Sequence, residues 1–300
     1  MKSATKKWLI AAAALLTVGA LIFVAVMSVY RWDFSKLGTE KYETNTYEIT
    51  QPFSNISIRT DTADICFAAA EDGQCKAVCR ETKKVRHSVS VEGDTLTVQS
   101  ADARKWYEHI GIDTGSVLVT VFLQEQVYES LTVKESTGDI EIAKELNFKN
   151  VDLSVSTGAV DLLADVAGTA KIKTSTGDIC VKNITAGTLD LTVSTGEITL
   201  ENVQCGKLQS KGSTGDLLLK NVNAAGKITL ERSTGNIKFD RSDAAEISVQ
   251  TSTGNVTGTL ASEKVFDTKT NTGTRKVPKT ASGGICKVRT STGNIILTVA

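Results

Sequence analysis

Three sets of residues carry whatever chemistry this sequence can offer: six cysteines, two histidines and a column of carboxylates. The cysteine spacings match no metal-ligand or disulfide framework. If residues 65–69 and 76–80 form a hairpin around 71–74, Cys66 lies opposite Cys79, and the pair could close a cross-strand disulfide. Cys75 and Cys79, on one strand, would stand about 13 Å apart and cannot bridge. Cys286 falls at an inward strand position, as a small buried hydrophobe, and Cys180 falls on the outward face. Asp139, Asp178, Glu197 and Asp216 each follow a glycine, and the last three recur on successive repeats. A stack of Asp178, Glu197 and Asp216 is a weak candidate column for a hard cation such as Ca²⁺. Asn236, Asn255 and Asn294 continue the same column without charge, which favours plain turn residues. His87 and His109 stand in no nucleophile elbow, zinc spacing or triad-like context, so no catalytic residue and no cofactor is assigned.

The elements that must position these residues are set by an internal repeat. Ser-Thr-Gly recurs at Gly138, Gly158, Gly177, Gly196, Gly215, Gly235, Gly254 and Gly293, with Asn271-Thr272-Gly273 filling the one gap, in steps of 19 or 20 residues. So even a period is the signature of a solenoid, one coil per repeat. Two residues after the glycine stands an apolar residue (Ile140, Val160, Ile179, Ile198, Leu217, Ile237, Val256, Ile295), and a second apolar alternation precedes it, as in Leu189 and Leu191. Each unit therefore reads as two strands with one buried and one wet face. About nine coils at a spacing of about 4.8 Å would make a rod roughly 40 Å long. The nine corner glycines are expected to supply positive φ. Asn183, Asn202 and Asn221 mark a second corner, because asparagine tolerates the left-handed region. Residues 47–130 lack the repeat but alternate as strands, which suggests a β-rich leading region that caps the open edge of the first coil.

The uncharged run 8–30 holds 23 residues and would span about 34 Å as a helix, enough to cross a bilayer. Lys2, Lys6 and Lys7 precede it, so the positive-inside rule places the amino terminus in the cytoplasm. A cleaved signal peptide is the rival, but the run is longer than an ordinary signal core and no small-x-small site follows. Lys plus Arg equals Asp plus Glu at 34 each, so no global field favours nucleic acid. Aromatics make up 5% of the chain, and the coils after Phe148 hold only Phe239 and Phe266, few platforms for a sugar cleft.

These pieces resemble a bacterial family of membrane-anchored β-strand-repeat proteins, candidate adhesins of unassigned function that include LiaG-like envelope-stress proteins. Phe53-Ser54-Asn55-Ile56-Ser57-Ile58 and Ala63-Asp64-Ile65 look like its opening strands, and Leu131-Thr132-Val133 with Ser136-Thr137-Gly138-Asp139-Ile140 looks like its repeat entry. The family often shows Leu-Pro before the repeats, where this chain has Leu123-Gln124. The resemblance implies the fold and a surface location, and carries over no reaction and no functional residues.

The sequence thus predicts an all-β protein: a parallel β-solenoid of about 19 residues per coil with a β-rich amino-terminal capping region, preceded by one transmembrane helix. The expected divisions are a cytoplasmic stub (1–7), a transmembrane anchor (8–30), a spacer (31–46), the leading region (47–130) and the solenoid (131–300). The expected function is a non-enzymatic envelope scaffold or adhesin-like module, with envelope stress as one setting. A polysaccharide-active β-helix enzyme and an accessory membrane signalling subunit stay open as alternatives. Expected partners are the membrane, through a single span, and cell-wall glycan or an envelope protein. Nucleic acid is excluded and the oligomeric state is left open.

Overall fold

The computed structural model describes residues 3–32, 41–102 and 116–300; His109, Lys2 and half of the expected spacer lie outside them. Helix α1 (Ser3–Val29) carries a stretch, Thr5–Val29, long and apolar enough to cross a membrane. Its Ala- and Leu-rich interior suits a helix, and Thr17 and Ser28 hydroxyls return to the carbonyls of Ala13 and Val24. The helix stops in a Schellman turn. Arg31 takes φ 53°, its N–H donates to Ser28, and the Trp32 N–H donates to the Met27 carbonyl at 2.8 Å.

The remainder is one β-solenoid. Its amino-terminal part comprises β1 (Tyr42–Glu48), β2 (Asn55–Thr62), β3 (Asp64–Ala69), β4 (Lys76–Thr82), β5 (Val85–Glu92), β6 (Thr95–Asp102) and β7 (Leu118–Leu123). The repeats follow as β8 (Val127–Thr137), β9 (Ile140–Ile142), β10 (Asn147–Thr157), β11 (Val160–Leu162), β12 (Asp165–Thr176), β13 (Ile179–Thr195), β14 (Ile198–Thr214), β15 (Leu217–Thr234), β16 (Ile237–Thr253) and β17 (Val256–Leu260). Last come β18 (Lys264–Thr272), β19 (Arg275–Lys276), β20 (Gly284–Thr292) and β21 (Ile295–Val299).

Coil stacks on coil through parallel ladders, and inward residues form columns. Ile140, Val160, Ile179, Ile198, Leu217, Ile237, Val256 and Ile295 lie in one register line, each essentially buried. Full burial of such side chains contributes about 1.5–3 kcal/mol apiece, so the columns supply the main driving force. The full-length coils have three arms where the sequence suggested two strands. In β13 the inward alternation slips phase at Asn183, where φ is 55°, and again at Gly187. Between the two slips, Ile184 and Ala186 form a short middle arm of their own. The early coils lack a full middle arm, and a ring stack of Phe53, Tyr128 and Phe148, with centroids 5.7 and 5.9 Å apart, fills the interior there.

Spatial order departs from chain order at both ends. At the amino end, β2 pairs with β6 on one side and β8 on the other, and β3 likewise with β7 and β9. The first coil in sequence is therefore the second layer in space, and β6 with β7 lies outside it. The leading region accordingly builds layers of the stack itself, with antiparallel β5 on β6, β4 on β7 and β1 on β4 added around them. At the carboxy end, β20 and β21 are inserted between β16–β17 and β18–β19. The Asn271-Thr272-Gly273 coil is therefore outermost, and the last repeat in sequence is an interior layer.

The same topology removes the expected disulfide. β7 lies between β3 and β4, so Cys66 faces Thr120 and Cys79 faces Val119, and both thiols are free. The hairpin expectation took neighbours in sequence for neighbours in the sheet, and the intervening strand comes from about fifty residues downstream.

Candidate functional surface

The Ser-Thr-Gly corners form one straight edge of the rod. All nine glycines have φ between 130° and 157°, a region closed to ordinary side chains. A Cβ at Gly215 would meet the Gly196 carbonyl oxygen at 1.9 Å, so backbone packs directly on backbone there. Every corner glycine N–H except that of the outermost Gly273 reaches the next coil, as Gly138 does to the Thr157 carbonyl at 3.0 Å. The result is an exposed threonine in register on ten layers, from Thr62 and Thr137 through Thr195 and Thr214 to Thr292 and Thr272.

Beside that edge runs the column just after the glycines. Asp139 Oδ1 accepts the Ala159 N–H at 2.7 Å, Asp178 Oδ1 accepts the Glu197 N–H at 2.7 Å, and Asp216 Oδ1 accepts the Asn236 N–H at 2.7 Å. Asn236, Asn255 and Asn294 do the same for the coils beyond them. Asp178 and Asp216 thus serve as main-chain acceptors in the stacking, and Asn replaces Asp because either side chain offers that oxygen. Among the described residues, the Asp178, Glu197 and Asp216 carboxylates do not gather into a three-donor group; the one cluster of three metal-ligand types is Cys79, Glu81 and His87. At the second corner, Asn183, Asn202 and Asn221 have φ of 53–55°; the Asn202 amide donates to Asn183 Oδ1 at 2.8 Å and the Asn221 amide to Asn202 Oδ1 at 2.9 Å.

A polar column inside the corner has no simple sequence signal. Three residues before each glycine stand Glu135, Val155, Thr174, Val193, Gly212, Arg232, Thr251 and Thr290, in register. Thr174 and Thr290 turn their hydroxyls back to the carbonyls of Gly158 and Gly254. Glu135 is 5% exposed and accepts the Ala63 N–H at 3.2 Å, and burial pushes its carboxyl up to about 7. Arg232 is 4% exposed and occupies the space that Gly212 leaves open, donating to Ser210 Oγ and the Glu231 carbonyl at 3.0 Å. Burial lowers its guanidinium to about 10. The two charges lie five coils apart, about 24 Å, and do not pair.

Two of the remaining cysteines, Cys205 and Cys286, are packing residues. Cys286 is buried in the inward column between Ile247 and Phe266, with its thiol raised to about 12 mainly by burial, and Cys205 is buried between Ala186 and Ala224. Cys180 stands on the outward face between Asp161 and Thr199, half-buried. A surface groove of about 340 Å³ runs over Thr192, Ser194, Lys211, Ser213 and Ser233 on the outer face.

No curated protein matches the chain. Among solved structures it is similar to a candidate adhesin from Bacteroides fragilis, with 16% identity, 86% of this chain and 98% of the other covered, and a TM-score of 0.50. It is also similar to a protein from Parabacteroides distasonis described as a candidate lipid-binding protein, with 15% identity, coverage of 87% and 98%, and a TM-score of 0.54. At such identities the likeness is one of fold. Residues 53–298, from the stacked Phe53 ring to the penultimate residue of β21, match the model of one family, and the chain belongs to that Toastrack DUF4097 family.

Proposed function

We propose that this protein is a membrane-tethered, non-enzymatic module of the cell envelope that offers the corner edge of its solenoid to an extended partner, as a scaffold or adhesin. The observation that carries the reading is the regular threonine and serine edge, which repeats the same hydroxyls on each layer from Thr137 to Thr253 and again at Thr292, about every 4.8 Å. Such an array suits a partner that is itself long and repetitive, through many weak polar contacts. α1 supplies the tether, and Lys6 and Lys7 before its apolar run set the amino terminus on the cytoplasmic side. Cell-wall glycan is the first partner to test, with envelope stress as the setting that the family resemblance suggests. The full chain in detergent should cosediment saturably with isolated sacculi, and replacing Thr176, Thr195, Thr214 and Thr234 together by Val should weaken pelleting at least tenfold. Pelleting that ignores those replacements would remove the edge from the reading. Release of soluble sugar from the sacculi would replace it with the enzyme alternative.

A further inference from the structure

Inside the amino-terminal layers sits a group that the solenoid edge does not use. Cys79 and Glu81 are two residues apart on β4 and therefore point the same way, inward, and His87 on β5 comes to meet them. Cys79 and Glu81 are fully buried and His87 is 4% exposed. One donor atom from each lies within 4.8 Å of the other two. His87 Nδ1 is 2.9 Å from Glu81 Oε2, the His87 N–H donates to the same oxygen at 2.6 Å, and Asn45 Nδ2 donates to Glu81 Oε1 at 2.6 Å. His87 Nε2 is buried with no hydrogen-bond partner. A core histidine kept only for packing would have both ring nitrogens satisfied or wet, because an orphaned buried polar atom costs about 1–3 kcal/mol.

We propose that Cys79 Sγ, a Glu81 carboxylate oxygen and a ring nitrogen of His87 form a binding site for a divalent transition-metal ion of borderline softness, of which Zn²⁺ is the type. Thiolate, imidazole and carboxylate are the donors such ions take together, and carboxylate contacts to a ring nitrogen are what orient ligating histidines. With metal–sulfur and metal–nitrogen distances of about 2.3 and 2.0–2.1 Å, donors within this separation need only small side-chain rotations to share one ion. Without metal, burial and the Glu81 charge push the Cys79 thiol up to about 12, so the thiol is no free nucleophile. Binding expels the thiol proton and fixes the thiolate as ligand. β4 pairs with β1 and β7, and β5 with β6, so the ion would join two strands, β4 and β5, that among the described residues do not pair with each other. Because the donors are buried, loading accompanies folding or a local opening of β5.

The full chain in detergent, refolded after EDTA treatment, is titrated with Co²⁺ and separately with Zn²⁺. One equivalent should bind, with a sulfur-to-cobalt charge-transfer band and a rise in Tm of at least about 5 °C with Zn²⁺. Cys79→Ser and His87→Gln should abolish the band, while Cys75→Ser, which touches Tyr128 instead, should keep it. Absence of one-equivalent uptake, or a band unchanged in Cys79→Ser, overturns the site. Should those variants fail to fold, X-ray absorption of the Zn²⁺-loaded wild-type chain decides: one sulfur ligand with N/O ligands supports the site, and an all-oxygen shell refutes it.

Discussion

Both ends of the stack close by putting a layer out of chain order, yet they finish with different material. At the amino end the outermost layer, β6 and β7, is continued by antiparallel strands, β5 beside β6 and β4 then β1 beside β7, so the parallel ladder passes into two short antiparallel extensions. At the carboxy end β18 and β19 pair on one side only, with β20 and β21. There the outer edge carries Asp267, Lys269, Arg275 and Lys276, and Thr280 and Ser282 of the following loop bond back to the Lys264 carbonyl and the Glu263 carboxylate. The Lys264 ammonium also reaches Asp243 at 2.5 Å, past the inserted coil to β16. The difference teaches that an open sheet edge has two remedies: one end adds strands, and the other adds charge and a loop that discourage a further strand.

The sharpest way to break this comparison is deletion. Removing 284–300 takes out an interior layer with Cys286, Val288, Ile295 and Leu297. It should cost a large share of the 5–15 kcal/mol that holds an ordinary domain, seen as loss of the cooperative thermal transition. Removing 41–48 strips only β1 and should leave that transition intact. If both deletions behave alike, the interleaved carboxy end is wrong. Next in size is Gly215→Ala, expected to cost about 3–5 kcal/mol by chemical denaturation, because a Cβ meets backbone at 1.9 Å. Gly73→Ala, in open space at φ 66°, should cost only about 1 kcal/mol. Leu297→Ala should then cost about as much as Leu200→Ala in mid-rod, about 2–5 kcal/mol. A cost for Leu297 well below that of Leu200 would mean that the last repeat lies at the end after all.

The smallest effect concerns pH. The Glu135 carboxyl is raised from 4.5 to about 7, so between those values the folded state holds a proton that the unfolded chain releases. Stability from this group is complete below about pH 4.5 and is lost as pH rises through about 7, by roughly 3 kcal/mol at most. Glu135→Gln should flatten that slope and stabilise the protein at pH 8. Arg232, buried in the same column, remains charged throughout this range, since its value falls only to about 10. Arg232→Met should therefore shift stability equally at pH 5 and pH 8, and urea titrations at the two values compare the pair.

What was legible in the sequence was whatever repeats locally. The corner glycines and the Asn183, Asn202 and Asn221 corner follow from backbone sterics, and the inward columns follow from alternation, so the solenoid itself was visible before any coordinates. The order of layers was not, because a period counts steps along the chain and is the same whether the Gly273 coil lies inside or outside the Gly293 coil. The middle arm was hidden because Ile184 and Ala186 continue the strand with only a one-residue phase slip on either side. The Cys79, Glu81 and His87 cluster was missed because its members belong to strands in different ladders. The one available signal was Glu81 at an inward position in line with Ala77 and Cys79, a charge where the pattern asks for an apolar residue.

The interleaved ends also bear on how such a molecule can change length. Each terminal arrangement is a closed device that involves only its own few strands, while the coils from Gly158 to Gly235 meet their neighbours through interchangeable contacts. Duplication or loss of a whole 19-residue unit in that middle would lengthen or shorten the rod by about 4.8 Å without disturbing either terminus. Reach toward a partner can therefore drift in discrete steps during evolution, with the tether and both finished ends kept as they are.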